Sequence, residues 1–581
     1  MKTMVSTIAI FFNDAIIAAF PQLKDNFDET IVEITPNKQE NRGHYQCNSA
    51  MRLTKILKKN PRDIAAAICE NVDKGDIIES LDVAGPGFVN ITIKTSYLTT
   101  LVQNIYEDPR LGIEEPEKSQ KIVIDFSSPN TAKEMHVGHL RSTIIGDCLA
   151  RLFEFLGHDV LRLNHIGDWG TAFGMLIAYM KEEVPHVLDG SEDTDLTHLV
   201  TWYKASKKRF DEDETFKKKS QQEVVALQSG DGNALKAWSI ICEISRNAYQ
   251  EVYDILDVKL IERGESFYNP TLADVVADLE NKGLVEVSGG AKCIFLEGFV
   301  NREGNPLPLM VQKSDGGYNY DTTDMAAIRQ RVEEEHADRI IYVTDAGQAT
   351  HFKMIFQAAE KAQYVDTKKI RLDHVPFGLV LGPDGKKFKT RSGETERLID
   401  LLTNAVQRAK EILHERDDAM SEEDITTIAE ALGIGSVKYA DLSCHRTGDY
   451  TFSYERMLKF EGNTAAYLMY SYVRIHGIQR KINVDITAIK EKINLQHPSE
   501  ISLGLHIARF NEALESITRD LLPNRLTDYL YNLAEKFNAF FRDCRVEGTA
   551  EQNQRLLLCE TTAQIMRQGL NILGVTTVER M

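Results

Sequence analysis

Apolar positions change period along this chain, and each change marks an element. Near the start Ile8, Phe11, Phe12, Ile16, Ile17 and Phe20 recur at helical spacing around Asn13 and Asp14. The pattern predicts a buried amphipathic helix over Thr7–Phe20 in preference to a secretory signal, whose apolar stretch would not be broken at its middle. A second helix over Ala50–Lys58 and β-branched runs at Ile31–Ile34 and Val89–Ile93 make residues 1–110 a small mixed α/β section. Pro109, Gly112 and Pro116 then read as a linker. From Lys121 the pattern alternates. Lys121–Phe126 suits a buried parallel strand and Ser127–Asn130 a turn. Leu140, Ile144, Ile145, Leu149, Leu152, Phe153 and Leu156 then mark one face of a helix, and Val160–Leu163 a second strand. Strand, helix, strand at this spacing is a right-handed parallel βαβ unit. Arg339–Val343 and Pro376–Leu381 are candidates for the same sheet, and 181–253 reads as an inserted helical arm lying outside the core. Beyond residue 450 helical periodicity takes over, as in Leu526–Phe541.

A length of 581 residues exceeds one compact core and predicts two to four domains. With 43% apolar and 27% charged residues the chain has the balance of a globular protein. Lysines and arginines number 68 against 87 aspartates and glutamates, a net −19, which excludes indiscriminate coating of nucleic acid but leaves local basic contacts open. The section 455–580 holds 16 basic and 15 acidic residues, so the excess of negative charge lies upstream of it. Arg52, Lys55, Lys58, Lys59 and Arg62 form a basic cluster that reads equally as a solvated helix face or an anion contact. Eight cysteines without metal-clip spacing predict neither a zinc knuckle nor a disulfide framework, and a reducing, cytoplasmic setting is the default expectation. No apolar run has the length of a membrane span.

The sharpest chemical signal is Ser127-Ser128-Pro129-Asn130-Thr131-Ala132-Lys133-Glu134-Met135-His136-Val137-Gly138-His139, between the first sheet strand and its helix. A loop at the carboxyl edge of a parallel sheet, opening a helix, is where nucleotide phosphates bind. His136 and His139 can donate hydrogen bonds to phosphate oxygens, and Gly138 lets an adenine ring approach the backbone. The bland alternative is that both histidines only cap the helix.

This stretch (127–147), N-H-I-G-D-W-G at 164–170, G-E-S at 264–266, K-F-K-T-R-S-G at 387–393 and F-E-G-N-T-A-A-Y at 460–467 together resemble the class I aminoacyl-tRNA synthetases, and within them the arginyl-tRNA synthetases. The resemblance covers essentially the whole chain. It implies an α/β protein with a Rossmann-type parallel-sheet catalytic domain over 111–450, carrying the insertion at 181–253. An N-terminal α/β tRNA-binding domain would cover 1–110, and an all-α anticodon-binding domain 451–581. The implied reaction joins L-arginine to ATP, releasing pyrophosphate, and passes the arginyl group to the terminal ribose of tRNA(Arg). ATP enters as a substrate with Mg²⁺; no tightly bound cofactor, protein metal site or membrane contact is implied, and a monomer is expected.

Residue by residue, the resemblance assigns His136, Gly138, His139, Lys387, Phe388 and Lys389 to ATP, with both histidines and both lysines catalytic. Thr390 departs from the class pattern, which has a second lysine there, and Lys133 is the residue expected to supply the missing charge. Glu265 and Asp324 match the guanidinium-binding acids, Tyr320 the aromatic packed on the side chain, and Asn130 and Gln348 the contacts of the α-amino and carboxylate groups. A planar guanidinium calls for such forked acidic recognition. His165 and Trp169 are expected to line the same cleft. Phe88 and Asn90 match the contacts to the outer corner of the tRNA. Tyr450, Phe452, Tyr467, Tyr470 and Tyr472, interleaved with Arg446, Arg456 and Arg474, are candidates for stacking on anticodon bases. The insertion is too short for an editing domain, in keeping with a charged substrate selected in one pass. A different H-x-G-H nucleotidyltransferase, or a silent RNA-binding paralogue, would lack the paired acids or the histidines and lysines.

Overall fold

The computed structural model describes residues 3–26, 32–386, 388, 396–416 and 420–581. They form two compact units, one of 117–458 with 572–575, the other of the remaining N-terminal and C-terminal segments.

The first unit is built on five parallel strands: β1 (Lys121–Asp125), β2 (Asp159–Asn164), β3 (Ile261–Glu262), β4 (Arg339–Asp345) and β5 (Arg371–Phe377), in the order β5-β4-β1-β2-β3. The inner strands are continuous apolar runs, Ile122–Ile124 and Ile340–Val343, because helices cover both faces. The chain leaves β1 toward β2 on one side, while β4 lies on the other. The sheet order therefore reverses at β1 and β4, and a crevice opens beyond their carboxyl ends. Helix α1 (Val137–Phe155) is the crossover from β1 to β2 and buries Leu140, Ile144, Ile145, Leu149, Leu152 and Phe153, the face that periodicity predicts. At the end of β1, Asp125 accepts from the fully buried Arg331 at 2.7 Å and from Ser128 Oγ at 3.0 Å.

Two expectations need correction. Pro376–Leu381 is not one sheet strand. Strand β5 ends at Phe377, and the chain turns at Gly378, where a Cβ would meet the Gly448 carbonyl at 2.6 Å. Val380–Leu381 instead pairs with Tyr450–Thr451 in a separate ribbon. Nor is the insertion wholly an arm. Its helices α2 (Thr171–Glu183), α3 (Leu196–Glu212), α4 (Glu214–Gln228) and α5 (Gly232–Ile255) run from inside β2–β3, and the last three start on the aspartate caps Asp195, Asp213 and Asp231. Helix α5 buries Ile241, Ser245, Tyr249, Val252 and Tyr253, and their polar atoms hold the β1–α1 loop. Downstream come α6 (Glu265–Tyr268), an antiparallel three-stranded sheet over 286–312, α7 (Tyr320–Glu333) and α8 (Ala349–Lys361).

In the second unit, the strands Ile34–Pro36, Tyr45–Cys47, Phe88–Ile93 and Ile78–Ala84 pair antiparallel in that spatial order, with helices Met4–Ala19, Ser49–Leu57, Pro61–Asn71 and Thr95–Glu107. Ile31, part of an expected strand, lies outside the described residues. The regular structure of the C-terminal segment is helical, chiefly Ala465–Ile482, Pro498–Ala508, Asn524–Asp543 and Gln552–Ile572. The two segments interlock. Tyr45 Oη donates to Glu512 Oε1 at 2.9 Å, Gln103 Oε1 accepts from the Ile493 amide at 2.8 Å, and Lys536 pairs with Glu40 at 2.8 Å. No described helix is long and apolar enough to cross a membrane.

Candidate functional site

The loop from β1 to α1 is held in a shape that L residues resist. Ser127, Ser128 and Ala132 have φ of 71°, 48° and 60°, each costing about 1 kcal/mol or more. Their amides are all engaged: Ser127 donates to Ser142 Oγ at 2.9 Å, Ser128 to Asn164 Oδ1 at 3.0 Å and Ala132 to Ser245 Oγ at 3.1 Å. Tyr249 Oη adds bonds to the carbonyls of Asn130 (2.6 Å) and Lys133 (2.7 Å), and Tyr253 Oη meets Ser127 Oγ at 2.8 Å. Helix α5 of the insertion is therefore the splint of this loop.

His136 and His139 open α1 as a reciprocal cap. The Gly138 amide donates to His136 Nδ1 at 3.0 Å, and the His136 amide to His139 Nδ1 at 3.1 Å. An Nδ1 that accepts leaves the ring proton on Nε2 as a donor. Capping and phosphate donation are thus compatible, one nitrogen serving each. Burial, then the neighbouring charges of His136 and Lys133, pushes the His139 imidazole down to about 3, so it is neutral near pH 7. Gly138 has a reason beyond room for a base, because a Cβ there would meet the His136 ring at 2.9 Å. Lys133 is exposed, its ammonium 6.0 Å from the centre of the Tyr203 ring on α3. Phe388 packs on Phe452 at 5.1 Å, while Lys387, Lys389, Thr390 and Arg391 lie outside the described residues.

The motifs 164–170 and 264–266 are two halves of one clasp. Ser266 donates from its amide (2.8 Å) and hydroxyl (2.5 Å) to Asp168, and a Cβ at Gly264 would strike that carboxylate at 2.5 Å. The Asn130 carboxamide occupies the space that a side chain at Gly167 would fill, its Oδ1 2.1 Å from the ideal Cβ. The Glu265 amide donates to the Ile166 carbonyl at 3.0 Å, which seats the acid beside the loop. Burial, then the charges of Asp324 and Asp168, drives the Glu265 carboxyl up to about 8. Glu265 on α6 therefore lies within electrostatic reach of Asp324 on α7.

Tyr320 and Asp324 stand one turn apart on α7, as their spacing predicts, and Gln348, exposed, precedes α8. His165 lies against Tyr268 at 5.5 Å and Trp169 edge-on to Trp238 at 6.0 Å. Sequence reasoning missed His351, which contacts both Asp321 and Asp324. Its only signals were its place three residues after Gln348 and the pair of acids three apart on α7.

Away from this slot, Phe88 is half-buried at the start of its strand. Asn90 is buried, its Oδ1 accepting from Asn37 at 3.2 Å and Gln46 at 3.0 Å. Among the candidate stacking aromatics, Phe452 and Tyr472 are fully buried, so the structure removes them from that role; Tyr470 is exposed.

An open parallel sheet with a capped H-x-G-H helix at its switch point marks a nucleotide-binding class I-type cleft, and residues 101–454 match the family described as tRNA synthetases class I (R), catalytic domain. Residues 7–93 match the arginyl tRNA synthetase N terminal domain and 468–581 the DALR anticodon binding domain. The chain belongs to the arginyl-tRNA synthetases. It is 64% identical to the arginine–tRNA ligase of Protochlamydia amoebophila and 52% identical to that of Chlamydia felis, each alignment covering 100% of both chains. Over the full length of both chains its fold matches the crystal structure of arginyl-tRNA synthetase from Plasmodium falciparum with a TM-score of 0.89 at 36% identity.

Proposed function

We propose that the chain charges tRNA(Arg) in two steps, using this cleft for both. In the first, a carboxylate oxygen of L-arginine attacks the α-phosphorus of ATP, the bond to the β-phosphate breaks, and pyrophosphate leaves. In the second, a hydroxyl of the terminal ribose attacks the arginyl carbonyl and AMP departs. His136 and His139 donate from Nε2 to the phosphates, Lys133 with Lys387 and Lys389 neutralises charge growing on the triphosphate, and Mg²⁺ arrives with ATP through its oxygens. Asn130 and Gln348 orient the α-amino and carboxylate groups, while Glu265 and Asp324 take the guanidinium beneath Tyr320. Phe88 meets the outer corner of the tRNA, with Asn90 buried behind it and bonded to Asn37 and Gln46, and the C-terminal helices meet its anticodon.

The observation that carries the reading is the Glu265–Asp324 slot beside the histidine-capped loop. An acid whose charge is opposed by burial and by the neighbouring Asp324 is a fit partner for a forked cation. Amino-acid-dependent pyrophosphate exchange tests it, run with each of the twenty amino acids, with and without tRNA. Exchange with arginine alone is expected, and by family resemblance only when tRNA is present. Exchange with lysine and none with arginine would defeat the specificity claim.

A further inference from the structure

His351 stands in the first turn of α8 and packs against α7. Its Nε2 lies 2.6 Å from Asp324 Oδ2 and its Nδ1 3.3 Å from Asp321 Oδ1. The imidazole is 17% exposed and the two carboxylates 16% and 10%. An ionised carboxylate can only accept, so a ring with both nitrogens on carboxylates carries a proton on each. Burial opposes that charge, but the two aspartates outweigh it and hold the ring up at about 9. Around it stand Tyr320 from α7, edge-on at 5.1 Å, Phe352 from α8 at 5.2 Å, and beyond Phe352 His374 of β5, kept down at about 4 chiefly by burial and then by Arg446. Asp324 Oδ2 is therefore committed to an internal cation, while Oδ1 makes no hydrogen bond among the described residues. Asp324's charge is also felt at Glu265 across the slot.

We propose that His351 is a positioning residue for the amino-acid substrate: by bridging Asp321 and Asp324 it fixes the rotamer of Asp324 and presents Oδ1 to the guanidinium. This rests on the reading of the slot as the arginine site. It also accounts for Asp321, whose other oxygen accepts the Met310 amide at 3.0 Å. The arrangement makes the slot a frame whose shape exists before substrate enters, so binding energy is not spent on orienting the acid.

Two amides separate the roles of the two ring nitrogens. In His351→Gln the Nε2 group stands where the ring Nε2 stood, toward Asp324; in His351→Asn the Nδ2 group replaces only Nδ1, toward Asp321. In charging assays His351→Asn should raise the KM for arginine about tenfold or more, with kcat and the KM for ATP within about twofold, and His351→Gln should recover most of the loss. The Asn change should add little when Asp324 is already Asn, because the two then act through one contact. Equal effects of Asn and Gln, or a parallel rise in the KM for ATP, would reduce His351 to a packing residue and overturn the proposal. A wild-type chain that charges arginine alongside two unaltered variants sinks the assignment of His351 alone. A wild-type chain that does not activate arginine sinks the reading of the slot and this inference with it.

Discussion

At the scale of single residues, Glu265 links substrate binding to a proton. Its carboxyl sits at about 8 in the free protein against an ordinary 4.5, so near pH 7 it is mostly protonated. A guanidinium needs it ionised. Arginine binding at pH 7 should therefore release a proton, and affinity should climb as pH rises toward 8, by up to about tenfold per unit, then level off. Calorimetric titration in two buffers of different ionisation heat measures the proton directly, and Glu265→Gln should abolish it. Binding that is independent of pH between 6 and 8 contradicts this. The same shift acts on stability with the opposite slope. The folded state holds a proton that the unfolded state has lost above about 4.5, so this group's contribution falls as pH rises from there to about 8 and is flat beyond. Lys133 gives a second expectation: Lys133→Ala should slow arginine activation about a hundredfold while leaving tRNA affinity nearly intact, read by exchange and by filter binding. Normal activation in that variant would return the question to the Thr390 loop. Most residues of the slot were legible from motifs alone. His351 was not, because a single histidine on a helix carries no period and no partner in sequence; only the fold brings it to Asp321 and Asp324.

Among elements, α5 is where the pattern misled. Its charged neighbours made 181–253 look like an appendage, yet Ser245, Tyr249 and Tyr253 face inward and use their hydroxyls rather than apolar bulk. A hydrophobic–polar reading counts such residues on the wrong face. Removing one hydroxyl tests the splint. Tyr249→Phe removes the one hydroxyl proton that two loop carbonyls share and should cost about 1–2 kcal/mol. It should lower the thermal midpoint and slow pyrophosphate exchange together. A variant with unchanged midpoint and rate would show the loop to be self-supporting. Strands β1 and β4 were plain because inner parallel strands are unbroken apolar runs. Strand β5 was displaced along the chain because Gly378, which ends it, is a space requirement set by Gly448 some seventy residues away.

On the scale of the whole molecule, the N-terminal α/β segment and the C-terminal helices complete one compact unit. Glu512 is one of the groups that join them: burial pushes its carboxyl up to about 7, with Tyr45 Oη and the Val5 amide as donors to one oxygen. Residues 459–581 expressed alone would leave that acid and the apolar faces beside it uncovered. They should melt without cooperativity, and adding residues 1–116 in trans should restore a sharp transition. A sharp transition for the isolated segment would show it to be independent. Charge and composition gave no hint of this partnership, since two segments far apart in sequence contribute no shared period.

That partnership sets a timetable for synthesis. At about 5–20 residues per second the ribosome needs roughly 20–70 s to make residues 117–458, and during that interval the Tyr45 face has emerged while its helical counterpart is still unwritten. The nascent chain thus carries an open seam through most of its own translation, and slowing the decoding of its middle section should lengthen its dependence on holdase chaperones.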